Sequence, residues 1–209
     1  MRIQRTRRKT LGLQVKEGEV IVKAPLFASD EAIEAFVRKY GDWIQKQLER
    51  QKGAKRRFVF GERFWYLGQS YELKESQEEF VFDGRYFLAK EPSAELFARF
   101  YKERAKAYIP PLVERLAKEY GESYRKVGIT SAHTRWGSCS SQKNLNFSYR
   151  LMMLPPEAIE YVVIHELSHL RHMNHSKAFW ELVHSRMPNY KEMERVLTQF
   201  EVISLKGDV

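Results

Sequence analysis

The sequence lacks the features that stabilise or anchor most secreted and membrane proteins. Its 209 residues include one cysteine, Cys139, so an intramolecular disulfide is excluded and a reducing compartment is expected. No stretch approaches the roughly 18 to 20 apolar residues of a membrane span. The charged start MRIQRTRRK is not followed by the apolar run of a signal peptide. We therefore expect a cytoplasmic protein with no membrane partner.

Acidic residues are scarce near the N-terminus. The net charge of the chain is +9, and residues 1–57 alone contain 15 Lys and Arg against 7 Asp and Glu. Two clusters dominate this region: Arg5, Arg7, Arg8 and Lys9, and then Lys52, Lys55, Arg56 and Arg57. A basic face of this kind can bind a nucleotide or nucleic acid, or it can simply be solvated. No DNA-reading module accompanies the charge, which favours a solvated face over a nucleic-acid contact.

The pattern of residues 1–90 predicts a β-rich region with one helix. TLGLQV and VIVKAP alternate apolar and polar residues around a turn, which predicts a β-hairpin. Helical spacing of apolar residues predicts one helix through residues 31–51, with a cap from the Ser-Asp pair at 29–30. Gly53 and the basic run after it are interpreted as a linker. Short strands follow, and the Asp-Gly pair at 83–84 marks a hairpin turn between the last two.

Residues 91–209 have a different, mainly helical pattern. The helix that begins in ELFARFYKERAKAY is expected to break or kink at Pro110-Pro111. KVGITSAHTRWGSCSS and NLNFSYRLMML are interpreted as two strands joined by a turn. Pro155-Pro156 is expected to open a helix that contains HELSH and ends near Asn174, with two more helices after it. The predicted fold class is α+β, and residues 91–209 are expected to form its catalytic domain.

The stretch HELSHLRHMNH, residues 165–175, predicts a metal site. His165 and His169 are four residues apart, so on a helix their imidazoles share one face and can bind one ion. Glu166 borders that face without joining it, as expected of a general base. Zinc lowers the pKa of a bound water to about 7, and a carboxylate beside it can accept the proton. The spacing therefore predicts a zinc hydrolase with Glu166 as its base.

A catalytic zinc site needs a third protein ligand, and two candidates follow from spacing. His175 comes ten residues after His165, the spacing of the HExxHxxGxxH pattern, although His172 stands where that pattern has glycine. The rival ligand is a glutamate of the next helix, with Glu181 better placed than Glu192. We favour His175 and expect His172 to be exposed.

Residues around HTRWGSC are candidates for the substrate side of the site. Arg135 is expected near the metal helix, where it could bind a substrate carboxylate or phosphate, or hold an oxyanion. The alternative for Arg135 is a buried salt bridge. Trp136 is interpreted as core, Gly137 as a bend, and Cys139 as a small buried thiol rather than a nucleophile. The strand that contains them could pair with an extended peptide.

These residues resemble a known family. HTRWGSCSSQKNLNFSYRLMMLPPEAIEYVVIHELSHLRHMNHSKAFWELV is similar to the signature of the YgjP-like metallopeptidase-domain family, and RTRRKTLGLQV near the N-terminus resembles it more weakly. The resemblance implies a minimal zincin fold, zinc-ligand roles for His165, His169 and His175, and a base role for Glu166. It also implies peptide or protein substrates, although nucleoside triphosphate hydrolysis is an alternative for such proteins.

Three functions follow from these patterns. The first is a zinc metallopeptidase that cleaves amide bonds with zinc-activated water. The second is a metal-dependent phosphohydrolase, for which the basic N-terminal region and Arg135 would bind phosphate. The third is a nucleic-acid-associated binding module with structural zinc, which three histidines beside a glutamate fit poorly because structural sites are usually closed by four protein ligands.

Overall fold

Two compact units make up the chain in the computed structural model, which describes residues 1–16, 19–52 and 58–204. The first lies within residues 1–56 and the second within residues 57–204. Each has its own hydrophobic core. In the part of the chain that is described, no helix is both long and apolar enough to cross a membrane. A cytoplasmic location stays a prediction.

The first unit is a three-stranded sheet followed by two helices. Its strands are β1 (Arg2–Thr6), β2 (Gly12–Lys16) and β3 (Glu19–Pro25), in the order β1-β3-β2. The antiparallel pairing of β2 with β3 confirms the predicted hairpin, whose turn lies outside the described residues. The helices are α1 (Asp30–Lys39) and α2 (Gly41–Lys52).

The prediction of a single helix for residues 31–51 is therefore wrong, because the structure has two helices there. The chain leaves the helical conformation at Tyr40, whose φ of −105° and ψ of 20° end α1, and Gly41 starts the second helix. The cap is confirmed, since the Ser29 hydroxyl accepts a hydrogen bond from the Ala32 amide at 3.2 Å. The predicted linker at Gly53 lies outside the described residues.

The second unit begins with a four-stranded sheet that packs on a long helix. Its strands are β4 (Arg63–Tyr66), β5 (Gln69–Glu75), β6 (Phe80–Phe82) and β7 (Tyr86–Ala89), in the order β4-β5-β7-β6. The hairpin at 83–84 is confirmed, because β6 and β7 are antiparallel and the Asp83 carboxylate accepts from the Arg85 and Tyr86 amides.

The long helix is α3 (Ala94–Tyr120), and it runs through Pro110 and Pro111 without interruption. The expected break is therefore wrong. Each proline removes an amide donor and crowds the carbonyl four residues earlier, but Ile109 and Val113 on either side are fully buried and hold the helix in place. A second sheet follows with the strands β8 (Lys126–Thr130), β9 (Gly137–Cys139) and β10 (Asn144–Ser148), in the order β8-β10-β9. Where one strand was predicted for residues 126–141, there are two.

The rest of the second unit is helical. A 3₁₀ helix (Tyr149–Met153) replaces the end of the predicted strand, and α4 (Pro156–Ser168), α5 (Lys177–Arg186) and α6 (Tyr190–Ser204) follow. The α+β class is confirmed, with a small sheet beside the HELSH helix and helices after it. Gly68, with a φ of +79°, brings the β4–β5 turn onto the start of α4, where a Cβ would lie 2.8 Å from the Pro155 ring.

The division between compact units differs from the division that the sequence suggested. The composition changes near residue 90, but the compact units divide between residues 56 and 57. Aromatic side chains of the first 90 residues and of α3 share one core, because Phe64 stacks on Phe97 with ring centroids 3.9 Å apart. The strands of residues 63–89 therefore pack with the helical half of the chain.

Candidate metal centre and its surroundings

Helix α4 carries the first two histidines and the glutamate into the core. Its start is favoured by Pro156 in the first turn, where a missing amide donor costs nothing. The residues that precede the histidines are almost entirely buried: Ile159, Val162, Val163 and Ile164. The helix is thus fixed on nearly all sides, and its last turn presents His165 and Glu166 at the end of a rigid element.

Helix α4 ends at Ser168, six residues before the predicted stop at Asn174. The amides of Leu170 and Arg171 bond to carbonyls three residues earlier, which tightens the chain into a turn. His169 keeps helical angles as the terminal residue, so it stays one turn from His165 as the spacing predicted. The early end allows the chain to bring His175 back to the same place.

The three histidines His165, His169 and His175 converge. One ring nitrogen from each lies within 4.8 Å of the others, and the Nε2 atoms of His165 and His175 are 3.1 Å apart. Burial, together with the neighbouring histidines, lowers the pKa of His165 to about 3. Neutral imidazoles with free lone pairs are the form that binds a metal.

The orientation of His169 is fixed by a backbone carbonyl. Its Nδ1 lies 2.9 Å from the His172 oxygen, to which it can donate, and this leaves Nε2 for a metal. His172 itself does not join the cluster, as predicted. It is half-buried rather than exposed. Here the sequence interpretation was wrong.

Neither rival glutamate reaches the histidines. Glu181 is exposed and forms an ion pair with Lys177 at 3.5 Å, one turn away on α5. Glu192 is exposed on α6. Among the residues that the structure describes, His165, His169 and His175 form the only group of three or more histidine, cysteine or acidic side chains able to hold a metal ion.

Aromatic rings of α5 pack against the histidines. Phe179 is fully buried and stacks on His169 with centroids 4.5 Å apart, and Trp180 stacks on His175 at 5.7 Å. Through these rings α5 packs against the end of α4. The rings restrict the imidazoles to one orientation.

Glu166 is buried beside the histidines and against strand β9. Its side chain meets Gly137 so closely that a Cβ there would lie 2.7 Å from both Cγ and Oε1 of the glutamate. Burial raises the pKa of Glu166 to about 8, and the positive charge of Arg135 opposes this rise. A carboxyl with a pKa near neutrality can both accept and donate a proton. Gly137 thus has a packing role that the sequence did not reveal.

Arg135 lies at the mouth of the site. Its side chain is exposed, so it is not the buried salt bridge that the sequence left open. Its charge is close enough to lower the pKa of Glu166. It also lines a polar cavity of about 460 Å³, together with Thr130, Ser138 and Asn146. Its role in binding substrate or an oxyanion stays a prediction.

The comparison with known proteins agrees with this geometry. A family profile described as "YgjP-like, metallopeptidase domain" matches residues 9–200. The chain belongs to the YgjP-like family. The resemblance that the HELSH and RWGSC stretches suggested is thus confirmed, and so is a metallopeptidase domain, which implies a metal cofactor.

Further comparisons with the YgjP-like chain add little. One similar solved structure is the crystal structure of the metallopeptidase zymogen of Pyrococcus abyssi abylysin, with 24% sequence identity and a TM-score of 0.40. The match covers 47% of this chain and 97% of that chain. This similarity is too low to support conclusions about the site. No curated protein sequence matches the chain.

Cys139 and His184 have no part in the cluster of this YgjP-like protein. Burial, and then the charge of Glu166, raise the pKa of the Cys139 thiol to about 11, so it stays protonated and is a poor nucleophile, as expected. His184 is exposed and lies beside the Tyr190 ring, with centroids 6.1 Å apart. Trp136 is only partly buried, because it lines the cavities on both sides of Gly137.

A buried ionic network that lies near the histidines was not predicted from the sequence. Arg186 at the end of α5 forms an ion pair with Glu122, and both side chains are about 5% exposed. Arg171 pairs with the same carboxylate at 2.7 Å. Arg186 also donates to the Ser168 hydroxyl at 3.1 Å, next to His169. The network connects the ends of three helices, and its members are too far apart in sequence to give a signal.

The structure describes only part of the basic N-terminal region. Arg5 donates to the Ala28 carbonyl and pairs with Asp30 at 2.5 Å, so part of its charge has a structural role. Residues 55–57 of the second basic cluster lie outside the described residues. A nucleotide or nucleic acid partner for this region stays a prediction.

Proposed function

We propose that this protein is a zinc-dependent metallopeptidase, with His165, His169 and His175 as zinc ligands and Glu166 as general base. The observation that carries the proposal is the convergence of three histidine nitrogens within 4.8 Å beside a buried carboxylate. Three neutral imidazoles are a donor set typical of catalytic zinc, which keeps its fourth position for water or substrate.

The donor set fits zinc in a second respect. The Nδ1 of His169 is engaged with a carbonyl, a contact that fixes the tautomer of metal-binding histidines. When bound, zinc would supply a water of low pKa and would polarise a substrate carbonyl. The contributions below are those of the protein's own side chains.

Glu166 would move the proton. Its carboxylate accepts a proton from the attacking water and then donates it to the nitrogen of the leaving amine. Gly137 on β9 holds this carboxylate in position by close packing. The proximity of Arg135 favours the charged form of Glu166 and provides a cation for a substrate oxygen at the mouth of the site.

An extended peptide is the substrate that this geometry suits best. Strand β9 is the outer strand of its three-stranded sheet and borders the site through Gly137, so its free edge can pair with a substrate backbone. Phosphoryl transfer usually relies on magnesium and several carboxylates. The described residues contain no such carboxylate group near the histidines. A nucleotide substrate is therefore the alternative outcome of the test.

The test compares zinc-loaded wild type with Glu166→Gln on unfolded protein, peptides and nucleoside triphosphates. Loss of a general base lowers the rate by about 10²- to 10⁴-fold. We expect wild type to cleave peptides and Glu166→Gln to lose this activity while it retains zinc. Glu157→Gln is the matched control, because this glutamate is exposed at the other end of the same helix. Consumption of nucleotides alone would contradict the peptidase function.

A further inference from the structure

A second cavity is lined by Glu166 but not by Arg135. It has a volume of about 310 Å³ and lies between α4, α6 and the start of β9. Its walls include two residues of the proposed metal site, three residues of α6 and their neighbours: Trp136, Gly137, Tyr161, Val162, His165, Glu166, Glu194, Leu197 and Thr198. A side chain placed here would belong to a residue next to the bond that is cleaved.

Glu194 is the charged group that α6 contributes to this cavity. It is half-buried, and its Oε1 accepts a hydrogen bond from the Tyr161 hydroxyl at 3.3 Å. Tyr161 lies one helical turn before His165, which links the pair to the metal site. No lysine, arginine or histidine among the described residues lies within 4.0 Å of the Glu194 carboxylate. Within the described part of the chain, this partly desolvated carboxylate therefore has no cationic partner.

Tyr161 cannot neutralise this charge. Its hydroxyl donates a hydrogen bond to Oε1 of Glu194 but carries no positive charge. Its ring is held from the other side by Tyr190, which stacks at a centroid distance of 6.5 Å. The hydroxyl of Thr198 is engaged with the Glu194 carbonyl at 3.0 Å. The carboxylate of Glu194 thus keeps acceptor capacity for an incoming group.

Apolar side chains form part of the cavity wall, beside the polar groups of His165, Glu166 and Thr198. Val162 is 4% exposed, and Leu197 and Trp136 are partly buried around the same space. A carboxylate beside the aliphatic side chains of Val162 and Leu197 matches a side chain with an aliphatic stem and a cationic head. Arg135 lines the other cavity and not this one.

We propose that Glu194 is a specificity-determining residue that selects a lysine or arginine side chain beside the scissile bond. This inference rests on the proposed peptidase function for the use of the pocket in catalysis. The stem would pack on Val162 and Leu197, and the ammonium or guanidinium group would bind the Glu194 carboxylate. Arginine, with its planar pair of donors, would bind in bidentate fashion.

The first experiment measures cleavage of matched peptides. They differ only in one residue, arginine, its uncharged isostere citrulline, or glutamate, placed on either side of the bond in turn. We expect wild type to cleave the arginine peptide at least about tenfold faster than the citrulline peptide in kcat/KM, the effect of one charge-assisted hydrogen bond. In Glu194→Gln this ratio should fall close to one. Glu192→Gln, an exposed neighbour on α6, should keep the wild-type ratio.

The second experiment measures binding without hydrolysis. Calorimetry on zinc-loaded Glu166→Gln gives the affinity for the arginine and citrulline peptides, with and without the added Glu194→Gln substitution. A preference for arginine that disappears with Glu194→Gln supports the inference, even if no peptide is cleaved and the peptidase function fails. Equal affinity for both peptides, or an arginine preference that survives Glu194→Gln, would overturn it.

Discussion

Substitution of Gly137 by alanine tests how Glu166 is held. The added Cβ would lie 2.7 Å from both Cγ and Oε1 of Glu166 and 3.0 Å from its Cδ, well inside van der Waals contact. Because Glu166 is only 6% exposed, its side chain has little room to move away. Overpacking of this kind costs about 1–3 kcal/mol. A displacement of a catalytic group by about 1 Å lowers activity about 10²-fold.

We therefore expect Gly137→Ala to lose about 10²-fold in kcat/KM on a peptide while it retains its zinc, since the added methyl group meets Glu166 and not the histidines. Urea unfolding of the metal-free protein should show the stability loss. Gly41→Ala is the matched control, because a Cβ at that position has no neighbour within 4 Å. Activity within about twofold of wild type would refute the packing argument. Loss of zinc together with activity would refute it too.

Two further predictions concern charges around the site. Removal of the Arg135 charge should raise the pKa of Glu166, whose charged form is the base. Arg135→Gln should therefore move the acidic limb of the pH profile of kcat/KM to higher pH. An acidic limb at the wild-type pH would contradict this coupling. Arg186→Met should lower the free energy of unfolding by about 3 kcal/mol, because it breaks a buried pair with Glu122. Arg115→Met, in an exposed pair, should change it by about 1 kcal/mol or less, and urea titration of both variants measures the difference.

The spacing of residues along one helix was enough to predict most of the histidine cluster. His165 and His169 are one turn apart, and this relation depends only on helical geometry. His175 could be predicted from its distance in sequence, but the turn that brings it back could not. That turn depends on the carbonyl of His172 and on the early end of α4.

Contacts between residues that are distant in the chain could not be predicted from the sequence. Gly137 carries no side chain, so nothing in its identity indicates that Glu166 packs on it. Tyr161 stands four residues before His165, a spacing that could have placed it on the metal face. Its partner Glu194 lies 33 residues away, and only the packing of α6 on α4 brings the two together.

Local propensity also failed where the core decides the structure. The two prolines of α3 should end a helix by their local chemistry, but buried residues on both sides keep the helix continuous. Tyr40 shows the opposite case, since the helical pattern of residues 31–51 continues across a break. A tightly packed core can override a local signal for a helix end, as in α3. At Tyr40 and Gly41 the local signal decides, and α1 ends there.

The most direct test of the account is the fate of solvent oxygen during cleavage. Zinc-loaded wild type would be incubated with an unfolded protein in water enriched in oxygen-18, and the products would be analysed by mass spectrometry. The account predicts new peptides whose C-terminal carboxylates carry one oxygen-18 atom, and none with Glu166→Gln at equal zinc content. Intact protein substrate, together with oxygen-18 in phosphate released from a nucleoside triphosphate, would contradict it.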